Sequence, residues 1–450
     1  MDKQKPQKNG IVIAIVVFAL FGVLWAIMQM RLNPFGSGSG DFQSYRGPVL
    51  PMTSLNGVEG VDVDRNVDFD FSPYQKGKDY STLGKGAVGI TDTYVLRNTT
   101  NEPKTLDLVY GFQGQFIDYP EEFPTITVNG TKIIPATYAT LDTNRLVWNA
   151  ENFDEYSRIL EENDFLSIAL QQPDELNIPV TVYHFTDLEY NGTEVLNYPM
   201  FTLRFEADEE TTIWTYIADE FGTEEDGKQR MMFRVDRGEV WVFTVGGTID
   251  DLECGGNRDY NVTESSAIDG VTYNLETYET SLTDVIYDFA QVYDFWAIEG
   301  QDTYPNSGVM TPELLAASAI KRIQANDFGE TTLTIKLIDA LFHDVITEPC
   351  MMYHIFPVEL GPSSSVTVQA SFVQEPSLDI SGSKEYREGY ELATKLGSDL
   401  TFIELTSSLS NTESIQLGNQ NFGFDLEKGT TEVTLDLLEE RYYLEVWVKD

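Results

Sequence analysis

Apolar and polar side chains alternate with a period of two over many short stretches of this 450-residue chain. Successive side chains on an extended backbone point to opposite faces, so this alternation marks half-buried strands. Residues 61–71 (VDVDRNVDFDF) set apolar side chains against acids. Residues 88–96 place Val88, Ile90, Tyr94 and Leu96 on one face, and a turn over 98–103 leads to a second strand with Leu106, Leu108, Tyr110 and Phe112 aligned. Within residues 126–133, Asn129 and Gly130 both tolerate positive φ, which predicts a tight type I′ hairpin. Further strands are expected at 180–185, 200–205, 212–217 and 232–245, the last folded about Asp236-Arg237-Gly238. Near the C-terminus, residues 431–438 and 441–448 read as a pair of strands.

A helical period interrupts this pattern. Residues 151–162 bring Phe153, Tyr156 and Leu160 to one helical face, and 281–296 does the same with Val285, Phe289 and Val292. Thr311-Pro312-Glu313 opens another helix with a capping hydroxyl, a proline at the first helical position and an acid in the first turn. Residues 332–345 fit strand and helix equally. Residues 203–217 align without gaps on 358–372, each reading strand, polar turn, strand, which raises the prospect of an internal duplication.

Residues 11–30 show neither period. These 20 residues carry no charge, and a helix of that length spans about 30 Å, the thickness of a bilayer's hydrocarbon core. Lys3, Lys5 and Lys8 precede the run, whereas only Arg31 and Arg46 follow it closely. The positive-inside rule then keeps the N-terminus in the cytoplasm and exports the rest. The run is long for a secretory signal and lacks a small-x-small site at its end, so an uncleaved anchor is expected.

The resulting fold class is mainly β: a single N-terminal transmembrane helix, then two or three antiparallel β-sandwich units of immunoglobulin-like class with a helical insertion. In sequence order the expected divisions are a cytoplasmic tail (1–10), the anchor (11–30), a Gly/Ser linker (31–45) and a first β-sandwich (46–150). A second β-rich region beginning with a short helix (151–280), a helical segment (281–346) and a C-terminal β region (347–450) follow.

Charge narrows the partners. The chain has 29 basic and 73 acidic residues; setting aside Lys3, Lys5, Lys8 and Asp2 of the tail leaves 26 and 72 in the exported part. Such a field repels nucleic acid and anionic lipid headgroups. The acids are dispersed along the chain, in the manner of a solvated surface. Two cysteines, Cys254 and Cys350, could close a disulfide in an oxidising compartment. Four Asn-x-Thr sequons (Asn98, Asn129, Asn191, Asn261) are about as many as chance supplies. Together these features fit a bacterial envelope protein better than a disulfide-framed animal ectodomain.

Candidate chemistry is sparse. Asp62, Asp64, Asn66 and Asp68 have the D-x-D-x-N-x-D spacing of a calcium loop, but an EF-hand type loop needs glycine at the sixth position and glutamate at the twelfth. Those places hold Val67 and Pro73, and a strand with an acidic face explains the string more simply. A zinc site would have to combine Cys350, His343, His354 and Glu348, whose spacing matches no zinc motif. Ser381-Gly-Ser-Lys384 and Ser318-Ala-Ile-Lys321 fit S-x-x-K without its companion elements. Trp214, Trp241, Trp296 and Trp447 could form a sugar platform, although aromatic residues in strands usually pack in cores. No cofactor motif stands out.

The expected function is therefore a membrane-anchored extracytoplasmic surface protein with a binding or structural role, its partner an envelope protein or glycan. The alternative is a hydrolase of cell-wall polymer or glycan that uses a carboxylate pair. With 73 acids, the sequence cannot single out such a pair.

Overall fold

A computed structural model describes residues 45–57, 59–74, 86–116, 123–140, 150–169, 178–208, 210–224, 226–259, 267–293, 311–325, 335–379 and 387–449. The expected anchor at 11–30 and most of the linker lie outside the described residues. Among the described residues, no helix is long and apolar enough to cross a membrane. The described residues are mainly β, with 51% strand against 17% helix.

The first stretch holds β1 (Thr53–Ser54), β2 (Val61–Asp70), β3 (Val88–Asn98), β4 (Lys104–Gly114), β5 (Thr125–Val128), β6 (Thr131–Lys132) and β7 (Ala136–Ala139). Helices α1 (Phe153–Asn163) and α2 (Phe165–Ala169) follow. The middle stretch runs β8 (Pro179–Tyr190), β9 (Met200–Glu206), β10 (Thr212–Thr215), β11 (Glu220–Thr223), β12 (Gln229–Arg234) and β13 (Val240–Val245). It continues with β14 (Asp250–Asn257), β15 (Ala267–Ile268), β16 (Val271–Ser281), α3 (Leu282–Val292), α4 (Pro312–Ala325), β17 (Ile335–Leu337) and α5 (Ile338–Thr347). The last stretch is β18 (Cys350–Leu360), β19 (Ser365–Gln374), β20 (Ser377–Asp379), β21 (Arg387–Ala393), β22 (Thr401–Ser410), β23 (Ile415–Gln420), β24 (Glu432–Thr434) and β25 (Arg441–Val448).

The first and last stretches interleave into one β base. A seven-stranded sheet runs β24-β22-β2-β3-β19-β5-β6, and a four-stranded sheet runs β1-β4-β18-β7. Another four-stranded sheet, β20-β21-β25-β23, comes wholly from the last stretch. The hydrogen bonds thus join stretches that the sequence pattern sets apart as a first sandwich (46–150) and a C-terminal region (347–450). The described residues from 178 to 347 form an insert between β7 and β18. Its two five-stranded sheets are β16-β8-β13-β10-β17 and β11-β12-β9-β14-β15.

The single-strand readings hold well. Strand β2 alternates buried and half-buried residues along its whole length. The β5–β6 hairpin turns through Asn129 (φ 49°) and Gly130 (φ 75°). Helix α1 buries Phe153, Tyr156 and Ile159, with Leu160 only partly covered. Thr311 Oγ1 caps α4 by accepting from Leu314 N at 3.2 Å. The ambiguous segment at 332–345 turns out to be both, β17 and then α5.

Pairings differ more. Residues 431–438 and 441–448 are not partners: β24 joins β22 in the seven-stranded sheet, while β25 lies between β21 and β23. The turn at 236–238 does not close a hairpin either, because β12 and β13 belong to different sheets. The same holds for β3 and β4, for β9 and β10, and for β18 and β19. The two aligned segments at 203–217 and 358–372 therefore share a concrete geometry, an arch from one sheet to another. Not every pair is antiparallel: β2 with β22 and β10 with β17 are parallel. Strands this far apart in sequence are free of the hairpin constraint that enforces antiparallel pairing.

One inner face of the seven-stranded sheet carries both smaller base sheets side by side. Val61, Val63, Tyr94 and Leu96 share a core with β4 and β18 residues, whereas Val67, Phe69, Val88 and Ile90 share one with β21 and β25. The first core runs on through α3, α4 and α5 to Val180, Val182, Trp214 and Phe243 of the insert.

Candidate functional site

Between these two cores, at the seam, lie two charges. Arg65 and Asp92 are fully buried and paired at 2.9 Å. Arg65 also donates to Leu50 O at 3.2 Å and Ala393 O at 2.7 Å, and Tyr94 Oη donates to Asp92 at 2.7 Å. Burial pulls the guanidinium pKa down, but Asp92 outweighs it and holds Arg65 above its ordinary value. The carbonyls of Leu50 and Ala393 are satisfied by this guanidinium where two sheets abut on a third. Both residues sit on the apolar parity of their strands: Arg65 between Val63 and Val67, Asp92 between Ile90 and Tyr94. That misplaced parity is the signal the sequence carries.

Close to the seam a cleft of about 970 Å³ opens where β3 and β19 part from β4. Its inner wall includes Ile90, Tyr110, Phe112, Phe123, Phe372 and Gln374, and its outer wall includes Asp70, Gly89, Thr91, Ser371 and Val373. The volume is at the upper end of the range for small-molecule sites. Two strand edges end in it. β1 pairs with β4 only at Val109 and Leu108, and β5 pairs with β19 no further than Ser371.

A strap of residues 45–50 forms the remaining wall. Val49 bridges Leu392, with Val49 N donating to Glu391 O at 2.8 Å. Arg46 pairs with Glu375 at 2.6 Å, and Arg46 N donates to Ser377 Oγ at 2.9 Å. Tyr45 Oη donates to the Glu391 carboxylate, and its ring meets Tyr156 edge-on at 5.9 Å. Burial raises the Glu391 pKa above the usual carboxylate range, against the lowering effects of Tyr45 and Arg441. Gly47 has a φ of +74°, and an added Cβ would lie 2.5 Å from Tyr156 Cε2. Only glycine lets the strap pass under that ring.

Among the described residues the cleft contains two carboxylates, and both are engaged. Glu375 is taken by Arg46. Asp70 accepts from Ser72 N and Ser72 Oγ at 2.8 Å each and from Asn411 Nδ2 at 2.7 Å. Burial works to raise the Asp70 pKa, but these hydrogen bonds prevail and hold it below its ordinary value. Gln374 is less content. Its Nε2 donates to Gly47 O at 3.1 Å, while its buried Oε1 has no hydrogen-bond partner. Deeper in, His354 packs 4.7 Å from Phe112 and shares a 2.9 Å hydrogen bond with Thr137. Desolvation pushes its imidazole down to about 4, so it is neutral at pH 7.

The candidates from sequence fall elsewhere. Asp62, Asp64, Asn66 and Asp68 occupy one face of β2, about 6.5 Å apart as strand geometry demands. Arg97 takes Asp64, Asn66 donates to Thr406, and Ser408 and Ser410 donate to Asp68. The four do not converge as calcium ligands. Among the described residues, no group of three His, Cys, Asp or Glu side chains is arranged to hold a metal. Cys254 and Cys350 form no disulfide. They are separated by packing: Cys254 borders the core between the insert's sheets, whereas Cys350 is buried in the core that joins base and helices.

Ser318 is buried on α4, and Ser381 and Lys384 lie outside the described residues. Trp214 is core and Trp241 stacks on His184 at 3.5 Å in the insert, whereas Trp447 is in the base and bonds Gln416. These three form no platform, and Trp296 lies outside the described residues. Comparison with known proteins finds no matching family, no matching curated sequence and no matching solved structure.

Proposed function

We propose that this chain is a non-enzymatic binding protein of the cell envelope, anchored by residues 11–30, with its acidic β body outside and a partner seated in the cleft of the base. One observation carries the binding half of this reading: the cleft is large and mixed in polarity, yet each of its two carboxylates is already engaged. A hydrolase acting through a carboxylate pair needs one acid with a raised pKa beside an ionised partner, and Asp70 is shifted the other way. The uncharged run with lysines on one side supports the anchor and its orientation. Paired β layers with arches between them support a sandwich of immunoglobulin-like class.

The test uses full-length protein in detergent micelles, mixed with purified wall polymer and with envelope peptides. Retention of one of these without release of new chain ends is expected, and Ser371→Trp, which fills the cleft, should abolish it. Turnover of polymer that disappears in Asp70→Asn would replace this reading with the hydrolase.

A further inference from the structure

We propose that the cleft's occupant is an extended peptide segment bearing a cationic side chain, laid between the open edges of β4 and β19. This deepens the binding reading above and rests on it. Three observations converge on that chemistry.

The first is backbone. From Tyr110 to Gly114, β4 pairs on one side with β18, and among the described residues no strand pairs on the other. From Phe372 to Gln374, β19 pairs with β3 and has likewise passed the end of β5. Edges of this kind present alternating N–H and C=O groups, which an extended peptide satisfies in register.

The second is the orphan acceptor. Gln374 Nε2 is held by Gly47 O, so the amide cannot turn to offer its donor to the cleft. Its buried Oε1 stands without a donor, and a buried acceptor left unmatched is costly. The occupant must bring an N–H or O–H.

The third is charge. Arg46 and Glu375 cancel each other, which leaves Asp70 as the net charge among the described lining residues, in a chain whose formal charge is −44. Asp70 pairs in register with Gly89, and Gly89 with Val373, so β3 puts no side chain between the carboxylate and the end of β19. Cations are drawn to such a place and anions repelled.

The aromatic residues argue against a glycan here. Stacking a sugar needs an open ring face, but Tyr110, Phe112 and Phe123 are only 1%, 7% and 6% exposed. Their rings are spent on each other and on their neighbours, with Phe112 at 5.4 Å from Phe123 and Tyr110 edge-on to Phe372 at 6.2 Å.

Fluorescence anisotropy with full-length protein in micelles tests this, using a labelled peptide of alternating lysine and valine, its glutamate counterpart, and a neutral N-acetylated oligosaccharide. The salt is set near 0.15 M, where charges beyond about 8 Å are screened. The lysine peptide should bind and the glutamate peptide should not. Asp70→Asn and Gln374→Leu should each weaken binding about tenfold, the size of one charge-assisted or buried hydrogen bond. Thr91→Lys, which adds a cation to the cleft wall, should abolish it. The pair Glu413→Gln and Glu432→Gln removes two exposed acids on other elements and should change it less than about twofold. Unfolding midpoints of the variants confirm that each is folded. Equal loss in the control pair and the cleft variants would reduce the effect to bulk charge and overturn the proposal. Binding of the oligosaccharide in place of the peptide, lost in Ser371→Trp, would also overturn it while leaving the binding reading intact. No cleft-dependent binding of either probe would sink both.

Discussion

The β base and the inserted module both bury apolar faces between sheets, but they treat charge in opposite ways. In the insert, Phe185, Leu203, Phe205, Ile213, Met231 and Phe233 fill the space between two sheets, and among the described residues no charged side chain on those strands is buried. The ions of its two sheets lie outside that core, where Arg204 reaches Glu224, Asp226 and Glu253 and Arg230 reaches Glu220 and Glu224; its one buried cation among the described residues, Arg322, is on helix α4 and pairs with Glu348. The base instead buries Arg65, Asp92 and Glu391. The difference follows from construction. The insert folds from one continuous stretch, so its layers are set by local chain. The base brings three sheets together from two ends of the sequence, with Arg65 bonded to Ala393 across 328 positions. Where two sheets abut on a third, backbone carbonyls are stranded away from water, and a buried guanidinium with its own counter-charge satisfies them.

Removing half of that pair should be the most damaging single change. Arg65→Met leaves Asp92 buried without its partner and should cost about 3–5 kcal/mol in denaturant unfolding. The double variant Arg65→Met with Asp92→Leu should recover much of this loss; a single variant within about 1 kcal/mol of the parent would break the contrast between the modules.

Acid should act on the base in its own way. The imidazole of His354 is depressed to about 4, whereas an unfolded histidine titrates near 6.5. The stability it contributes is fully present above pH 6.5 and is lost as pH falls towards 4, up to about 3 kcal/mol. Glu391 and Glu388, raised by burial, have the opposite sign. Their folded forms hold protons longer than the unfolded chain, so their share falls as pH rises above about 4.3. Unfolding midpoints of His354→Leu and Glu391→Gln across pH 4–8 should therefore lose opposite slopes relative to the parent. Parallel profiles would refute the assignment.

The strap gives a smaller effect. Gly47→Ala forces a left-handed backbone on a residue with a side chain, beneath Tyr156, and should cost about 1–2 kcal/mol. Because the strap walls the cleft, ligand affinity should fall with it. The smallest change is expected on the insert. Arg204 is about a third exposed and surrounded by acids, so Arg204→Ala should cost about 0–1 kcal/mol. A loss equal to that of Arg65→Met would erase the distinction between the two modules.

Much of this molecule is legible in single segments. The alternation of β2, the Asn129-Gly130 hairpin, the cap of α4 and the helical face of α1 each depend on residues a few positions apart, and each holds in the structure. The cleft was not legible. It is assembled from a strap at 45–50, strand ends near 89, 112 and 373, and a helix residue at 156, none of which carries a motif. The seam could have been suspected from Arg65 and Asp92, because a charge on apolar parity in a strand must find a buried partner. Their pairing with each other could not.

Strand periodicity fixes which side chains go inward, because it is a property of the backbone alone. It does not say which sheet a strand joins. That choice depends on burying two faces at once, and so on partners hundreds of residues away. β3 and β4 pair with β19 and β18, while the runs at 431–438 and 441–448 part company. The sequence by itself determined an acidic, β-rich chain with helices in its middle. Only the tertiary structure decided that the two ends share one base, that a buried ion pair closes its seam, and that two open strand edges face one cleft.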